Sequence, residues 1–124
     1  MPRDYIRVKD GYRLIMDLFS PYRRRIYAYN ESIKEFGYYL KPIHIVVKKA
    51  TNLKYIYFGR YWYRLVKMDD GRVKWIYIGR EKPDPHLPDP PLNPFEGLRI
   101  MVVDDDVIVD EYVYRILNTF PKNR

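Results

Sequence analysis

Cysteine is absent from the chain, and with it go disulfide frameworks, zinc sites built on thiolates and cysteine nucleophiles. Histidine occurs only at His44 and His86, too few for a histidine-based metal site or catalytic dyad. No apolar run approaches the roughly 20 residues that cross a bilayer. The opening segment MPRDYIRVKDGY likewise lacks the hydrophobic region of a signal peptide. These absences read as a soluble, cytoplasmic protein that engages no membrane, metal or cofactor. Glutamine is also missing, and serine and threonine occur twice each. Scarce thermolabile side chains beside ten prolines and 31% charged residues are the bias of hyperthermophile proteins.

What the chain has in quantity is tyrosine, fourteen of 124 residues, and positive charge that is unevenly spread. Residues 1–82 hold 19 Lys/Arg against 8 Asp/Glu, whereas residues 83–124 hold 4 against 8. The basic part has the electrostatic footprint of a nucleic-acid binder. The length fits one compact domain. Its expected parts are a basic helix and hairpin over 1–82, a proline-rich connector over 83–97, and an acidic strand and helix over 98–124 packed on the same domain.

Asp4–Val8 reads as an edge strand, and Leu14, Ile15, Leu18 and Phe19 have the i, i+4 spacing of a short helix, with a strand as the alternative. Ser20 and Pro21 then form a helix start, with Ser as cap and Pro at the first helical position. From there Tyr22, Ile26, Tyr29, Ile33, Phe36 and Leu40 recur at helical spacing until Pro42 ends the run, and Gly37 is a local penalty within it. Arg23 and Arg24 fall on the first turn, where the helix dipole favours anions, and so point to a phosphate partner. Ile43–Lys48 is β-branched and reads as a strand.

Leu53–Gly79 reads as a long β-hairpin turning at Asp69, Asp70 and Gly71, with Gly59 a bulge or bend in its first strand. A three-residue loop closed by a left-handed Gly71 pairs Met68 with Arg72. Tyr61, Tyr63 and Leu65 then share a face with Val73, Trp75 and Tyr77, while Arg60, Trp62, Arg64 and Val66 share the other with Lys74, Ile76 and Ile78. A two-residue turn would instead group Trp62, Arg64 and Val66 with Trp75 and Tyr77. The first register is preferred because it lays an aromatic face on the helix and opens a basic face to solvent. The nucleic-acid-binding residues expected on this basis are Arg60, Trp62, Arg64, Arg72, Lys74 and Arg80, joined by Arg23 and Arg24.

The pattern YWYRL…DDGRVKWIYIGR resembles the Tyr-rich, Tyr-Ile-Gly hairpins of small prokaryotic proteins and, more loosely, the three-stranded arm-type DNA-binding domains of integrases. The resemblance implies a sheet inserted in a DNA groove, with Arg60, Arg64, Arg72 and Lys74 reaching the duplex. Gly59-Arg60-Tyr61 and Tyr77-Ile78-Gly79 are also similar to the paired strands of GIY-YIG endonucleases. The central Ile is missing from the first segment, and prolines replace the arginine-bearing helix of that family, so no nuclease is expected.

Glu81–Pro94 holds six prolines and reads as a stiff connector laid over the surface. Leu98–Val103 is a buried-type strand, and Asp104, Asp105 and Asp106 lead into a helix running to Phe120, with acids at its N-terminus. This piece resembles the opening of response-regulator receiver domains, but their phosphoacceptor strand and later lysine have no counterpart here. The expected fold is α+β: a small antiparallel sheet with a long hairpin packed on a 20-residue helix, plus a C-terminal strand and helix. The expected function is non-catalytic nucleic-acid binding, DNA before RNA, through a cationic hairpin face. The alternative is a structural or assembly protein, viral or from a mobile element, that self-associates as a homo-oligomer.

Overall fold

The structure, a computed structural model, describes residues 4–120. In chain order the elements are β1 (Tyr5–Val8), α1 (Gly11–Ile33), a 3-10 turn (Lys34–Phe36), β2 (Tyr38–Lys48), β3 (Leu53–Lys67), β4 (Val73–Gly79), β5 (Arg99–Val103), β6 (Asp106–Asp110) and α2 (Glu111–Asn118). The α+β class is as expected, with six strands in one antiparallel sheet. Its order is β1-β6-β5-β3-β2, with β4 attached to β3 as well. The fifteen-residue β3 makes this possible. β2 runs along one of its edges, while β5 pairs with Leu53–Tyr57 and β4 with Trp62–Lys67, end to end on the other.

Both helices pack on one face of the sheet. Ile15, Leu18 and Phe19 of α1 meet Ile56 and Phe58 of β3, Ile100 and Val102 of β5, Val107 and Val109 of β6, and Val113 and Leu117 of α2. Farther along α1, Ile26, Tyr29 and Ile33 enclose Leu40, Trp62 and Leu87. The proline-rich segment is pinned to this core by buried Leu87 and Phe95, and the Tyr29 hydroxyl donates to the Pro88 carbonyl at 2.6 Å. No described helix is long and apolar enough to cross a membrane.

The helix differs from the local reading at both ends. Ser20 and Pro21 do not start it; α1 runs unbroken from Gly11 with Pro21 inside. A proline in a helix interior costs about 3 kcal/mol. The buried stripe Ile15, Leu18, Phe19, Ile26, Tyr29 and Ile33 stays in phase across it, and each such side chain returns about 1.5–3 kcal/mol on burial. Tertiary packing therefore outweighs the local stop. At the other end Gly37 is the terminator rather than an interior penalty: it takes φ 81°, and its N–H reaches the Lys34 carbonyl. Tyr38 and Leu40 consequently belong to β2. Pro42 lies inside that strand, at a register shift opposite Gly59 and Arg60, where a β3 bulge accommodates the missing N–H.

The C-terminal reading also changes. Asp104 and Asp105 turn the β5–β6 hairpin, with Asp104 at φ 54°. Residues 107–110 continue as strand, because Val107 and Val109 alternate into the core. The helix starts only at Glu111, capped by the Asp110 carboxylate, which accepts the Val113 N–H at 2.8 Å. Asp106 accepts from Arg7 Nε at 2.8 Å and from the Asp10 N–H at 2.9 Å, tying β1 to β6.

Candidate nucleic-acid interface

The hairpin turn is the three-residue loop. Met68 N–H donates to the Arg72 carbonyl at 2.7 Å, Gly71 N–H donates to Met68 at 3.0 Å, and Gly71 has φ 87°. Lys67 faces Val73, Leu65 faces Trp75 and Tyr63 faces Tyr77, so the tyrosines segregate from Arg64 as the preferred register requires, up to a bulge at Ile78 beyond which Trp62 faces Gly79 instead of Ile78. Their direction is the reverse of that expected. The row that meets the helix is Ile56, Phe58 and Trp62, each at most 2% exposed, and the tyrosine row faces away. The physical difference between the rows is the hydroxyl: burying Tyr55, Tyr57, Tyr61 and Tyr63 would strand four phenols without water. Trp62, at 0% exposure and edge-on to Tyr29 at 6.2 Å, is core and not a nucleic-acid contact.

The outward rings form a continuous row. Trp75 lies 4.7 Å from Tyr39 and 5.8 Å from Tyr63, Tyr63 lies 5.5 Å from Tyr77, and Tyr77 lies 6.5 Å from Tyr61. His44 extends the row, 5.7 Å from Tyr61 and 6.2 Å from Tyr57. Trp75 and Tyr77 are about half exposed, at 49% and 51%. Burial raises the Tyr61 hydroxyl pKa, with Arg80 partly offsetting it, so the ring stays uncharged at neutral pH and does not repel a phosphate.

β2, β3 and β4 contribute Lys41, Lys48, Lys54, Arg60, Arg64, Lys67 and Lys74 and no acidic residue. Pairing puts Lys41 beside Tyr61 and Arg99 beside Tyr57. The Arg80 guanidinium lies 6.0 Å from the Tyr61 ring centroid, so it belongs to the tyrosine face, where it shares a cleft with Arg60 and is separated from Arg64 and Lys74. Arg64 and Lys74 share the opposite, helix-side face of the hairpin and are exposed there. Arg60 has its Nε 2.9 Å from Glu96, and Arg72 is paired with Asp70 at the hairpin tip.

Arg23 and Arg24 fall in mid-helix, because α1 begins at Gly11, and the dipole argument for them lapses. Arg23 lies over the Phe19 ring at 5.3 Å, and Arg24 donates to the Ser20 hydroxyl at 2.9 Å. The eight expected residues are thus dispersed over the helix layer, the hairpin's two faces and the core. Sequence reasoning missed Tyr39, Lys41, His44, Tyr57 and Arg99. The signal available for Tyr57 was the alternation of Tyr with Ile, Phe and Trp along β3 on either side of Gly59-Arg60; the residues of β2 and β5 come to this face only through strand pairing.

Among the described residues no group of three or more His, Asp or Glu side chains is gathered closely enough to hold a metal ion. No protein-family model, curated protein or solved structure matches the chain.

Proposed function

We propose that the protein binds single-stranded nucleic acid across the tyrosine face, stacking bases on its rings and meeting phosphates with the flanking lysines and arginines. The observation that carries this reading is the unbroken row of rings from Tyr39 to Tyr57, on a sheet face that the helices leave uncovered. Base–aromatic stacking contributes about 1–3 kcal/mol per base and tolerates any sequence. It requires unstacked bases, which favours single strands over the groove-bound duplex implied by the integrase resemblance. Both DNA and RNA offer the same ring faces, with DNA the first to test. Fluorescence anisotropy with labelled single strands and duplex at several salt concentrations decides the matter. Single strands bind more tightly, and affinity falls steeply with salt. Absence of binding at low salt removes the reading.

A second reading, self-association, is favoured by β4. Its outer edge has no partner strand among the described residues, and Val73, Trp75, Ile76, Tyr77 and Ile78 are all 39–51% exposed. A long apolar edge of this kind templates pairing with another chain. Light scattering across a concentration series, with Ile76→Lys as the edge-blocking variant, separates a defined oligomer from a monomer.

A further inference from the structure

β4 and β5 occupy the same edge of β3 without meeting. The ladder to β5 stops at Tyr57–Arg99 and the ladder to β4 at Trp62–Gly79, and the interval opens as a notch of about 210 Å³. Gly59 lies in this interval and presents bare backbone; a Cβ there would press on the Tyr61 ring at 3.3 Å. Arg60, Arg80 and Arg99 line the notch together with one acid, Glu96. Glu96 is committed to Arg60 at 2.9 Å, whereas Arg80 and Arg99 form no ion pair with any described residue. Two arginines without an acidic partner on one small cleft give it a positive potential that favours an anion there.

We propose that this notch is a phosphate-binding subsite of the nucleic-acid surface, in which Arg80 and Arg99 hold a nucleotide phosphate while its base stacks on Tyr61 or Tyr57. The inference rests on the stacking reading above and adds the point where the backbone is gripped. The volume is below the roughly 300 Å³ of a cleft that encloses a drug-sized molecule, and so suits a phosphate and part of its sugar. The phosphate belongs either to an internal diester or to a strand end, and two probes separate these sources.

The test is an NMR titration of the ¹⁵N-labelled protein with a dinucleoside monophosphate, a nucleoside 5′-monophosphate and, as control, the nucleoside alone. The phosphate-bearing probes shift the Gly59 amide and the Arg80 and Arg99 Nε–H signals, and the nucleoside shifts only the ring protons of the tyrosine row. A response to the diester alone assigns an internal phosphate; a response to the monoester alone assigns a strand end. The Arg80→Ala/Arg99→Ala variant, whose replaced side chains are exposed, retains the wild-type melting temperature. It binds the phosphate probe about tenfold more weakly or worse and lowers the salt slope of oligonucleotide binding by about 1. A silent Gly59 amide, or wild-type affinity in the double variant, overturns the proposal. Oligonucleotide binding that depends on the tyrosines while the notch stays silent removes the subsite and keeps the stacking reading. A notch that responds when no oligonucleotide binds removes the stacking reading and, with it, the assignment of the notch to a nucleic-acid surface.

Discussion

The side chain of Asn30 in α1 acts as a neighbouring strand for Leu40 in β2. Its amide nitrogen donates to the Leu40 carbonyl and its amide oxygen accepts the Leu40 N–H, both at 2.8 Å. Asn30 is only 4% exposed. Replacing it with Ala leaves two buried backbone groups unpaired, at about 1–3 kcal/mol each. Urea unfolding of Asn30→Ala is therefore expected to show a loss of about 2–6 kcal/mol at unchanged m-value. Asn30→Asp does not rescue it, since a carboxylate cannot donate to the carbonyl. A loss below about 0.5 kcal/mol would mean that the clamp is not needed.

Trp62 and Tyr77 separate stability from binding. Trp62→Ala opens a cavity beside Tyr29 and Leu87 and is expected to cost about 3–5 kcal/mol of stability. Tyr77, half exposed on the outer face, is expected to cost less than about 1 kcal/mol when replaced by Ala. Under the proposed function the same change is expected to weaken oligonucleotide binding by about 1–3 kcal/mol. Paired denaturation and anisotropy measurements check both, and a larger stability loss at Tyr77 than at Trp62 would contradict the assignment of faces.

Gly11→Ala tests the approach of α1 to β6. In an ordinary helix the change is stabilising by about 1 kcal/mol. Here the added Cβ would lie 2.4 Å from Val107 Cγ2 and 3.0 Å from Val8 Cβ. Overpacking of this kind costs about 1–3 kcal/mol, so the expected sign is destabilising. The Gly11→Ala/Val107→Ala double variant recovers part of the loss, and strictly additive effects in the cycle would show that the two sites do not touch.

Asp106 gives a pH dependence of defined sign. The Asp10 N–H, and after it the Arg7 guanidinium, hold its carboxyl below the usual carboxylate range. A carboxylate depressed in the folded state adds stability that is fully present above the unfolded pKa of about 3.9 and is lost as pH falls through the folded value. The stability difference between wild type and Asp106→Asn is therefore largest at neutral pH and shrinks below about pH 4. Urea unfolding from pH 6 down to pH 2 measures it, and a difference constant across that range would refute the assignment.

Asp69, Asp70 and Gly71 fit both a two- and a three-residue turn, so the register is not legible from the turn alone. The reason for preferring the one that forms, an aromatic face against the helix, is reversed in the structure. The direction of the faces is not legible either, because both rows are aromatic and only the partners brought from elsewhere decide which is buried. Leu87 and Phe95 are those partners, and they lie in a segment whose prolines mask their burial. The same contrast explains α1. Ser20 and Pro21 are a valid local start signal, overruled by a stripe that continues from Ile15 to Ile33. Tyr38 and Leu40 fit helical spacing and strand alternation equally well, and only the left-handed Gly37 separates the two. The notch could not be foreseen, since it exists where two strands distant in sequence stop short of each other.

The pairing of β1 with β6 joins Tyr5 to Asp110, whereas β2, β3 and β4 follow one another along the chain. One side of the sheet is thus assembled from near neighbours and the other from segments that must first close a loop nearly as long as the protein. Such long-range contacts form late and contribute a large share of the folding barrier. Held by Arg7, Asp106 and the Gly11–Val107 contact, the β1–β6 edge is the cooperative unit expected to open at lowest free energy. Amide hydrogens there exchange faster than those of β2 and β3, and the tyrosine face remains assembled while the far edge breathes.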